Sequence, residues 1–125
     1  MNENDFPKIL IAEDVESNFL YLRAVLSKFN ATVFWAINGV EAIKICDEEE
    51  TIDLILMDLQ MPEMNGYEAT QILKKKYPNL PIIAQTAFAM SEDREKALDY
   101  GCDDYLAKPI KSKDLLSVVG KYIKL

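Results

Sequence analysis

The sequence predicts an α/β protein in which five parallel strands form one doubly wound sheet with helices on both faces. Three observations predict this fold. Short, nearly continuous apolar runs recur five times, stretches with helical spacing separate them, and a chain of 125 residues has room for a single core. Continuous apolar runs are typical of parallel strands that are covered on both faces.

The five apolar runs give the positions of the strands. They are KILIA (Lys8 to Ala12), TVFWA (Thr32 to Ala36), LILM (Leu54 to Met57), PIIAQ (Pro81 to Gln85) and DYLA (Asp104 to Ala107). The flavodoxin-like strand order 2-1-3-4-5 is the common arrangement for a small doubly wound sheet. We therefore expect five strands in that order and five helices, in a single domain over residues 1–125 whose core spans about 8–123.

Apolar residues with helical spacing lie between and after the strands. They are Phe19, Leu22, Leu26 and Phe29, then Ala42, Ile43 and Cys46, then Ala69, Ile72 and Leu73, and last Leu115, Val118, Val119 and Tyr122. The fourth helix, from Ser91 to Tyr100, has Ala97 and Leu98 and little else, with Met90 or Tyr100 as further candidates. We expect it to be held less tightly than its neighbours because it has so little apolar surface to bury.

Capping signals support these helices. Asn38 with Glu41 and Asn65 with Glu68 have the spacing of capping boxes. Ser91 and Ser112 are candidate N-caps for the last two helices, because serine side chains accept hydrogen bonds from the first free amides of a helix.

Composition excludes several functions. The net charge of −7 and the isoelectric point near 4.6 argue against a nucleic-acid partner. No apolar run reaches the roughly 20 residues of a membrane span, and the start MNENDFPK is unlike a signal peptide, so we expect a cytoplasmic protein with no membrane partner. Histidine is absent, which removes His-based triads and most zinc sites. Cys46 and Cys102 lack CxxC spacing and are expected to be reduced packing residues.

Polar residues follow four of the predicted strands. Glu13 and Asp14 end the first strand, Asp58 the third, Thr86 the fourth, and Lys108 follows the fifth. The carboxyl ends of parallel strands share one edge of the sheet, where ligands bind, so these residues should converge. Converging carboxylates repel each other and call for a hard cation, for which magnesium is the obvious candidate. A lysine and a hydroxyl suit phosphoryl oxygens, so the sequence predicts a phosphoryl-transfer site.

Each of these residues has an ordinary structural explanation when taken alone. An acidic pair is usually a solvated loop or a helix cap, and a lone lysine is usually a surface charge. The main functional alternative is a magnesium-dependent phosphohydrolase or nucleotide enzyme, which would use a similar acidic cluster. The first strand–helix junction, AEDVESN, is not a glycine-rich phosphate loop, and there is no evident general acid beyond the carboxylates.

Four segments carry a resemblance to a known family. ILIAEDVESN, LILMDLQMPEMNGYEA, IIAQTAFA and GCDDYLAKPI resemble, in order and spacing, the receiver domains of bacterial response regulators from Lys8 to about Ile123. The AED start and Gln60 are especially similar to receivers of hybrid sensor histidine kinases. The acceptor segment, with Pro62 and Gly66 after Asp58, is the most specific of the four.

The resemblance implies a role for each residue at the site. Asp58 is the phosphoacceptor, and Asp14 and Asp58 ligate Mg2+ together with the backbone carbonyl of Gln60. Glu13 acts through a bound water, at a position where most of the family has aspartate. Further implied roles concern the phosphoryl contacts and the conformational switch: Thr86 and Lys108 contact phosphoryl oxygens, Thr86 and Tyr105 form the switch, and the Lys108–Pro109 bond is cis.

The resemblance also implies partners. A histidine kinase or a histidine phosphotransfer domain supplies the phosphoryl group, and a downstream protein binds the face formed by helix 4, strand 5 and helix 5. Such a domain catalyses its own phosphorylation and dephosphorylation only, and is not an enzyme that turns over a substrate. A second alternative is an unphosphorylated interaction module, but Asp14, Asp58, Thr86 and Lys108 are all present and argue against it.

Two residues should set the lifetime of the phosphoryl group. Gln60 and Phe88 lie two positions after Asp58 and Thr86 and should flank the path by which water reaches phosphoaspartate. Because Phe88 donates no hydrogen bond and would cover that path, we expect slow self-dephosphorylation.

Overall fold

Five strands alternate with five helices along the chain. The computed structural model describes residues 6–49, 51–87 and 91–125. The elements are β1 (Lys8–Ala12), α1 (Glu16–Ser27), β2 (Thr32–Ala36), α2 (Gly39–Glu48), β3 (Leu54–Asp58), α3 (Gly66–Lys76), β4 (Ile82–Thr86), α4 (Ser91–Asp99), β5 (Asp104–Ala107) and α5 (Ser112–Val119). Three strands have the predicted bounds, β3 ends one residue later, and β4 is shifted by one residue.

The strands form one parallel sheet with the order β2-β1-β3-β4-β5, which confirms the predicted fold. The register places Ala12 beside both Ala36 and Met57, and Asp58 beside Gln85. All five strands therefore end at nearly the same level, and the loops that follow them share one edge of the sheet.

Alternate strand residues face two separate cores. Ile11 and Leu56 pack with α1 and α5 on one face, and Leu10 and Met57 pack with α2, α3 and α4 on the other. β3 and β4 are buried along their whole length. This double coverage is the reason that the strands appear in the sequence as continuous apolar runs.

The helix starts agree with the sequence in part. The side chains of Asn38 and Asn65 accept hydrogen bonds from the amides of Glu41 and Glu68, at 2.8 and 3.0 Å, as predicted. Ser112 was expected to be an N-cap, but this was wrong: Lys111 holds that position, without a side-chain bond, and Ser112 is the first residue of α5. Ser91 is likewise the first residue of α4, and its side chain is outside the part of the chain that the structure describes, as is Met90.

Some predicted apolar helix residues are exposed. α1 ends at Ser27, and the chain turns through Asn30 at φ 62°, which leaves Phe29 beyond the helix and 37% exposed. Ile72 is also 37% exposed, because a helix turns by about 100° per residue and Leu73 takes the buried position. In α4, Ala97 is buried and Leu98 is 42% exposed, so the described residues of this helix bury little apolar surface.

Other features agree with the sequence. Cys46 and Cys102 are free and buried, and burial raises the pKa of each thiol to about 11. The Lys108–Pro109 peptide bond is cis, as the resemblance implies. Among the described residues, no helix has the length and apolar character to cross a membrane.

The two kinds of helix start lead to a paired prediction. Asn65→Ala should lower the free energy of unfolding by about 1 kcal/mol, because it removes the side chain that caps α3. Ser112→Ala should change it by less than about 0.5 kcal/mol, because Ser112 is exposed and lies inside α5. Urea unfolding of both variants and the parent measures the difference, and equal losses would contradict the assignment of the caps.

Candidate functional site

The ends of β1, β3, β4 and β5 gather the polar residues that the sequence singles out. Glu13 and Asp14 follow β1, and Asp58 is the last residue of β3. Carboxylate oxygens of these three residues lie within 4.8 Å of one another. Glu13 and Asp58 are buried and Asp14 is exposed. The structure therefore brings together three acids that are up to 45 positions apart in sequence, on the side where ligands of such sheets bind.

Lys108 provides the positive charge at this site. Its ammonium nitrogen donates to Asp58 Oδ2 at 2.8 Å and to Glu13 Oε2 at 3.2 Å. The backbone amide of Lys108 donates to the carbonyl of Thr86 at 2.7 Å, which extends the β4–β5 pairing beyond the end of β5. One cation therefore bridges two carboxylates, and strand pairing fixes its backbone.

The charges of the bridge perturb one another. Burial raises the pKa of Glu13, and the negative charge of Asp58 raises it further, while the Lys108 ammonium acts in the opposite direction. Burial is also the largest influence on Lys108, and there it acts to lower the pKa. The hydrogen bond and charge of Asp58, with those of Glu13, outweigh this and raise the pKa of Lys108 above its usual value. The lysine therefore stays protonated at neutral pH.

Backbone groups hold the Asp58 carboxylate from the other side. The amide of Gln60 donates to Asp58 Oδ1 at 2.9 Å. The loop then returns to the strand end, because the amide of Gly66 donates to the carbonyl of Leu59 at 3.3 Å. A Cβ atom at position 66 would lie 2.8 Å from the Cα of Leu59, so this close approach requires glycine.

Sequence reasoning missed two residues that contact Glu13. The side-chain amide of Asn18 donates to Glu13 Oε1 at 3.4 Å, beside a 3.2 Å bond from the Val15 amide. The indole nitrogen of Trp35 donates to the backbone carbonyl of Glu13 at 2.7 Å. Asn18 lies five residues after Glu13, in the first turn of α1, so its contact could have been inferred from the segment AEDVESN. The contact of Trp35 depends on strand pairing and could not.

The two switch residues that the resemblance implies lie on the neighbouring strands β4 and β5. Thr86 ends β4 and is 4% exposed, and Tyr105 in β5 is half-buried. The guanidinium of Arg94 lies 5.1 Å from the centroid of the Tyr105 ring, and the ammonium of Lys96 lies 4.5 Å from that of Tyr67 in α3. Two cations over tyrosine rings therefore hold α4, in addition to Ala97. Phe88 is outside the described residues.

Gln85 is an unusual polar residue next to the site. It lies opposite Asp58 in the β3–β4 register and is fully buried. Among the described residues, neither its amide nitrogen nor its amide oxygen has a hydrogen-bond partner. A cavity of about 50 Å³ adjoins it, lined by Asn18, Tyr21, Leu22, Gln85, Lys108 and Ile110. A buried amide of this kind reduces the stability of the fold.

A sheet of order 2-1-3-4-5 that gathers three acids and Lys108 at its carboxyl edge fits the class that the sequence resembles, the receiver domains of two-component signalling. The comparison with protein families agrees. The family model described as the response regulator receiver domain matches residues 9–120, and the chain belongs to this family.

Similar proteins occur among kinases and phosphorelay proteins. The chain is 44% identical over 120 residues to hybrid signal transduction histidine kinase G of Dictyostelium discoideum. The match covers 92% of this chain and 4% of that protein. The chain thus spans a small part of the length of this relative. The chain is also similar to the receiver domain of sensor histidine kinase PA1611 from Pseudomonas aeruginosa PAO1, solved with a magnesium ion coordinated in its active site cleft. The TM-score is 0.85 at 34% identity, covering 94% of this chain and 97% of that one.

A further similar structure is a complex. The receiver domain of the response regulator Ssk1 of Saccharomyces cerevisiae, solved with the histidine phosphotransfer protein Ypd1, matches with a TM-score of 0.88 and 32% identity. The match covers 94% of this chain and 89% of that chain. In that complex, the receiver domain of Ssk1 is bound to a histidine phosphotransfer protein.

The Gln85 amide, which has no hydrogen-bond partner in the described part of the chain, generates a prediction about stability. Gln85→Leu should raise the free energy of unfolding by about 1 kcal/mol, because an apolar side chain of similar size carries no unsatisfied polar group. Thr70→Val is the matched control: the Thr70 hydroxyl is also buried but lies 3.7 Å from the Cys102 sulfur, so its removal should bring no gain. Urea unfolding measures both. A clear loss of stability in Gln85→Leu would show that the amide is hydrogen-bonded in the folded protein.

Proposed function

We propose that this domain accepts a phosphoryl group on Asp58 from a phosphohistidine, in a magnesium-dependent reaction, and thereby changes a partner-binding face. The observation that carries the proposal is the Lys108 ammonium bridging Asp58 and Glu13, with Asp14 beside them. This arrangement supplies a nucleophilic carboxylate, a cation for phosphoryl oxygens and a set of metal ligands at one place.

The donor set fits magnesium. The three carboxylates offer only oxygen, which this ion prefers, and the exposed Asp14 leaves room for the waters that magnesium retains. We assign Asp14, Asp58 and the backbone carbonyl of Gln60 as direct ligands. The oxygens of Glu13 already accept bonds from Lys108, Val15 and Asn18, which favours contact through a water. When bound, magnesium would offset negative charge on the phosphoryl oxygens.

The residues of the chain divide the chemistry among them. A carboxylate oxygen of Asp58 forms the bond to phosphorus in line with the bond that breaks, from phosphorus to the imidazole nitrogen of the donor. The ammonium of Lys108 donates to Asp58 in this structure and can donate to an equatorial phosphoryl oxygen after the transfer. The hydroxyl of Thr86 can donate to another phosphoryl oxygen. The chain has no histidine, so the donor lies on another domain, a histidine kinase or a histidine phosphotransfer domain.

Phosphorylation would act on the face formed by α4, β5 and α5. Movement of Thr86 toward the phosphoryl group would leave space beside β4 into which Tyr105 can turn. Tyr105 would then leave the guanidinium of Arg94, so α4 would lose one of its two cation–π contacts. An open concavity between these elements, lined by residues that include Arg94, Asp104, Tyr105, Asp114 and Lys121, gives a downstream protein a surface with charges of both signs.

The acceptor assignment is tested by intact mass. Incubation with acetyl phosphate and magnesium should add one phosphoryl group per chain, and Asp58→Asn should abolish the addition because an amide is not a nucleophile here. Asp53→Asn is the control, since Asp53 precedes β3 at the opposite end of the strand and is exposed. An adduct that persists in Asp58→Asn contradicts the assignment. Release of many phosphates per chain from a stable monoester would instead support a phosphohydrolase.

The metal assignment is tested with Asp14→Ala. Loss of a partner that merely orients a ligand typically weakens metal binding 10- to 100-fold, so loss of a direct ligand should raise the dissociation constant for magnesium by about tenfold or more. The free energy of unfolding should stay level or rise, because repulsion among the carboxylates is relieved. Calorimetric titration and urea unfolding measure the two effects.

Glu16→Ala is the matched control for this variant. It removes an exposed acid two residues further on, in the first turn of α1 and outside the carboxylate cluster, so magnesium affinity should hardly change. Unfolding of Asp14→Ala in the absence of magnesium would make Asp14 a structural residue.

A further inference from the structure

The peptide bond between Glu13 and Asp14 is held by β2. The amide of Glu13 donates to the carbonyl of Ala36 at 2.9 Å, one step beyond the last β1–β2 pair. The carbonyl of Glu13 lies beyond the end of β1, and it accepts a hydrogen bond from the indole N–H of Trp35 at 2.7 Å. A side chain of the neighbouring strand therefore continues the pairing past the end of β1.

The indole of Trp35 is itself fixed. Its ring stacks on Phe19 of α1, with 4.5 Å between centroids and 6° between the planes. The guanidinium of Arg23 lies 5.5 Å from the centroid of the Phe19 ring. Rotation of the indole would lose this stack as well as the hydrogen bond. Packing of the indole ring thus directs its N–H toward the Glu13 carbonyl. The nitrogen–oxygen distance of 2.7 Å is within the usual range for such hydrogen bonds.

We propose that Trp35 is a positioning residue for the acidic site, which holds the Glu13–Asp14 peptide plane so that both carboxylates face Asp58. The peptide group is planar, so fixing the Glu13 carbonyl also fixes the nitrogen of Asp14 and limits the direction of its side chain. Glu13 has further support from Asn18 and Lys108. Asp14 is exposed and depends more on its backbone, so Trp35 acts chiefly through Asp14. This inference rests on the proposed magnesium-dependent function.

The test removes the N–H and keeps an aromatic ring. Trp35→Phe should retain much of the packing against Phe19 but raise the dissociation constant for magnesium about three- to tenfold, as expected for the loss of one ordering hydrogen bond. Tyr122→Phe is the matched control. It also removes a bond from an aromatic side chain to a backbone carbonyl, that of Asp103 at 3.0 Å, together with a bond to Asp104 Oδ2 at 3.2 Å, at the opposite edge of the sheet. Both variants should lose some stability in urea, and only Trp35→Phe should lose magnesium affinity.

A measurement on the unaltered chain keeps the proposal testable if Trp35→Phe does not fold. Trp35 is the only tryptophan, so the protein gives a single indole N–H signal in ¹⁵N-resolved NMR. This signal should shift during a magnesium titration and saturate with the dissociation constant found by calorimetry. Wild-type affinity in Trp35→Phe, an equal loss in Tyr122→Phe, or an indole signal that does not respond would overturn the role of Trp35. A wild-type chain that binds no magnesium would overturn the proposed function, and this inference with it.

Discussion

Like charges gathered in a small volume are the constraint on which the rest of this structure depends. Three carboxylates at one edge of the sheet repel each other, and two of them are removed from water. The bridge from Lys108 to Asp58 and Glu13 offsets part of that repulsion, and it exists because the parallel register ends β1, β3 and β5 at nearly the same level. The doubly covered sheet therefore contributes more than stability, since it keeps groups of opposite charge within hydrogen-bond distance.

The supports of the site come from the loop after β3, from α1 and from β2. The amide of Gln60 and the tight approach of Gly66 hold Asp58, while α1 and β2 hold Glu13 through Asn18 and Trp35. These contacts restrict the carboxylates to a narrow range of positions before any ligand arrives. Such preorganisation reduces the reorganisation that a phosphoryl-transfer reaction requires, which is the main way a protein can accelerate a reaction whose chemistry is largely electrostatic.

The sequence predicted the sheet and the convergence of the strand ends because both depend on local signals. Buried parallel strands are apolar on both sides, so the first polar residues after each apolar run mark the strand ends, and the carboxyl ends of parallel strands share one edge of the sheet. The same reasoning ended β3 before Asp58 and β4 before Thr86, because polar side chains interrupt an apolar run although the backbone pairing continues. Ser112 was assigned as a cap from residue type alone, but capping depends on backbone geometry. The contact of Trp35 with Glu13 spans 22 positions, and the burial of Gln85 with no hydrogen-bond partner among the described residues depends on its neighbours in space, so neither leaves a local signal.

The weak attachment of α4 has a consequence for how a bound downstream protein would affect phosphorylation of the receiver. A cation–π contact whose cation is exposed to solvent contributes only about 0.5–1 kcal/mol, and Arg94 is exposed, so a carboxylate on a bound protein can compete with Tyr105 for the guanidinium. A downstream protein that drew Arg94 away would favour the same position of Tyr105 that phosphorylation favours in the proposed mechanism. Thermodynamic reciprocity then requires the two events to assist each other equally. A downstream protein bound to the face formed by α4, β5 and α5 would thus increase the fraction of chains phosphorylated at a given supply of donor. The receiver would then respond to the concentration of its downstream protein as well as to its kinase.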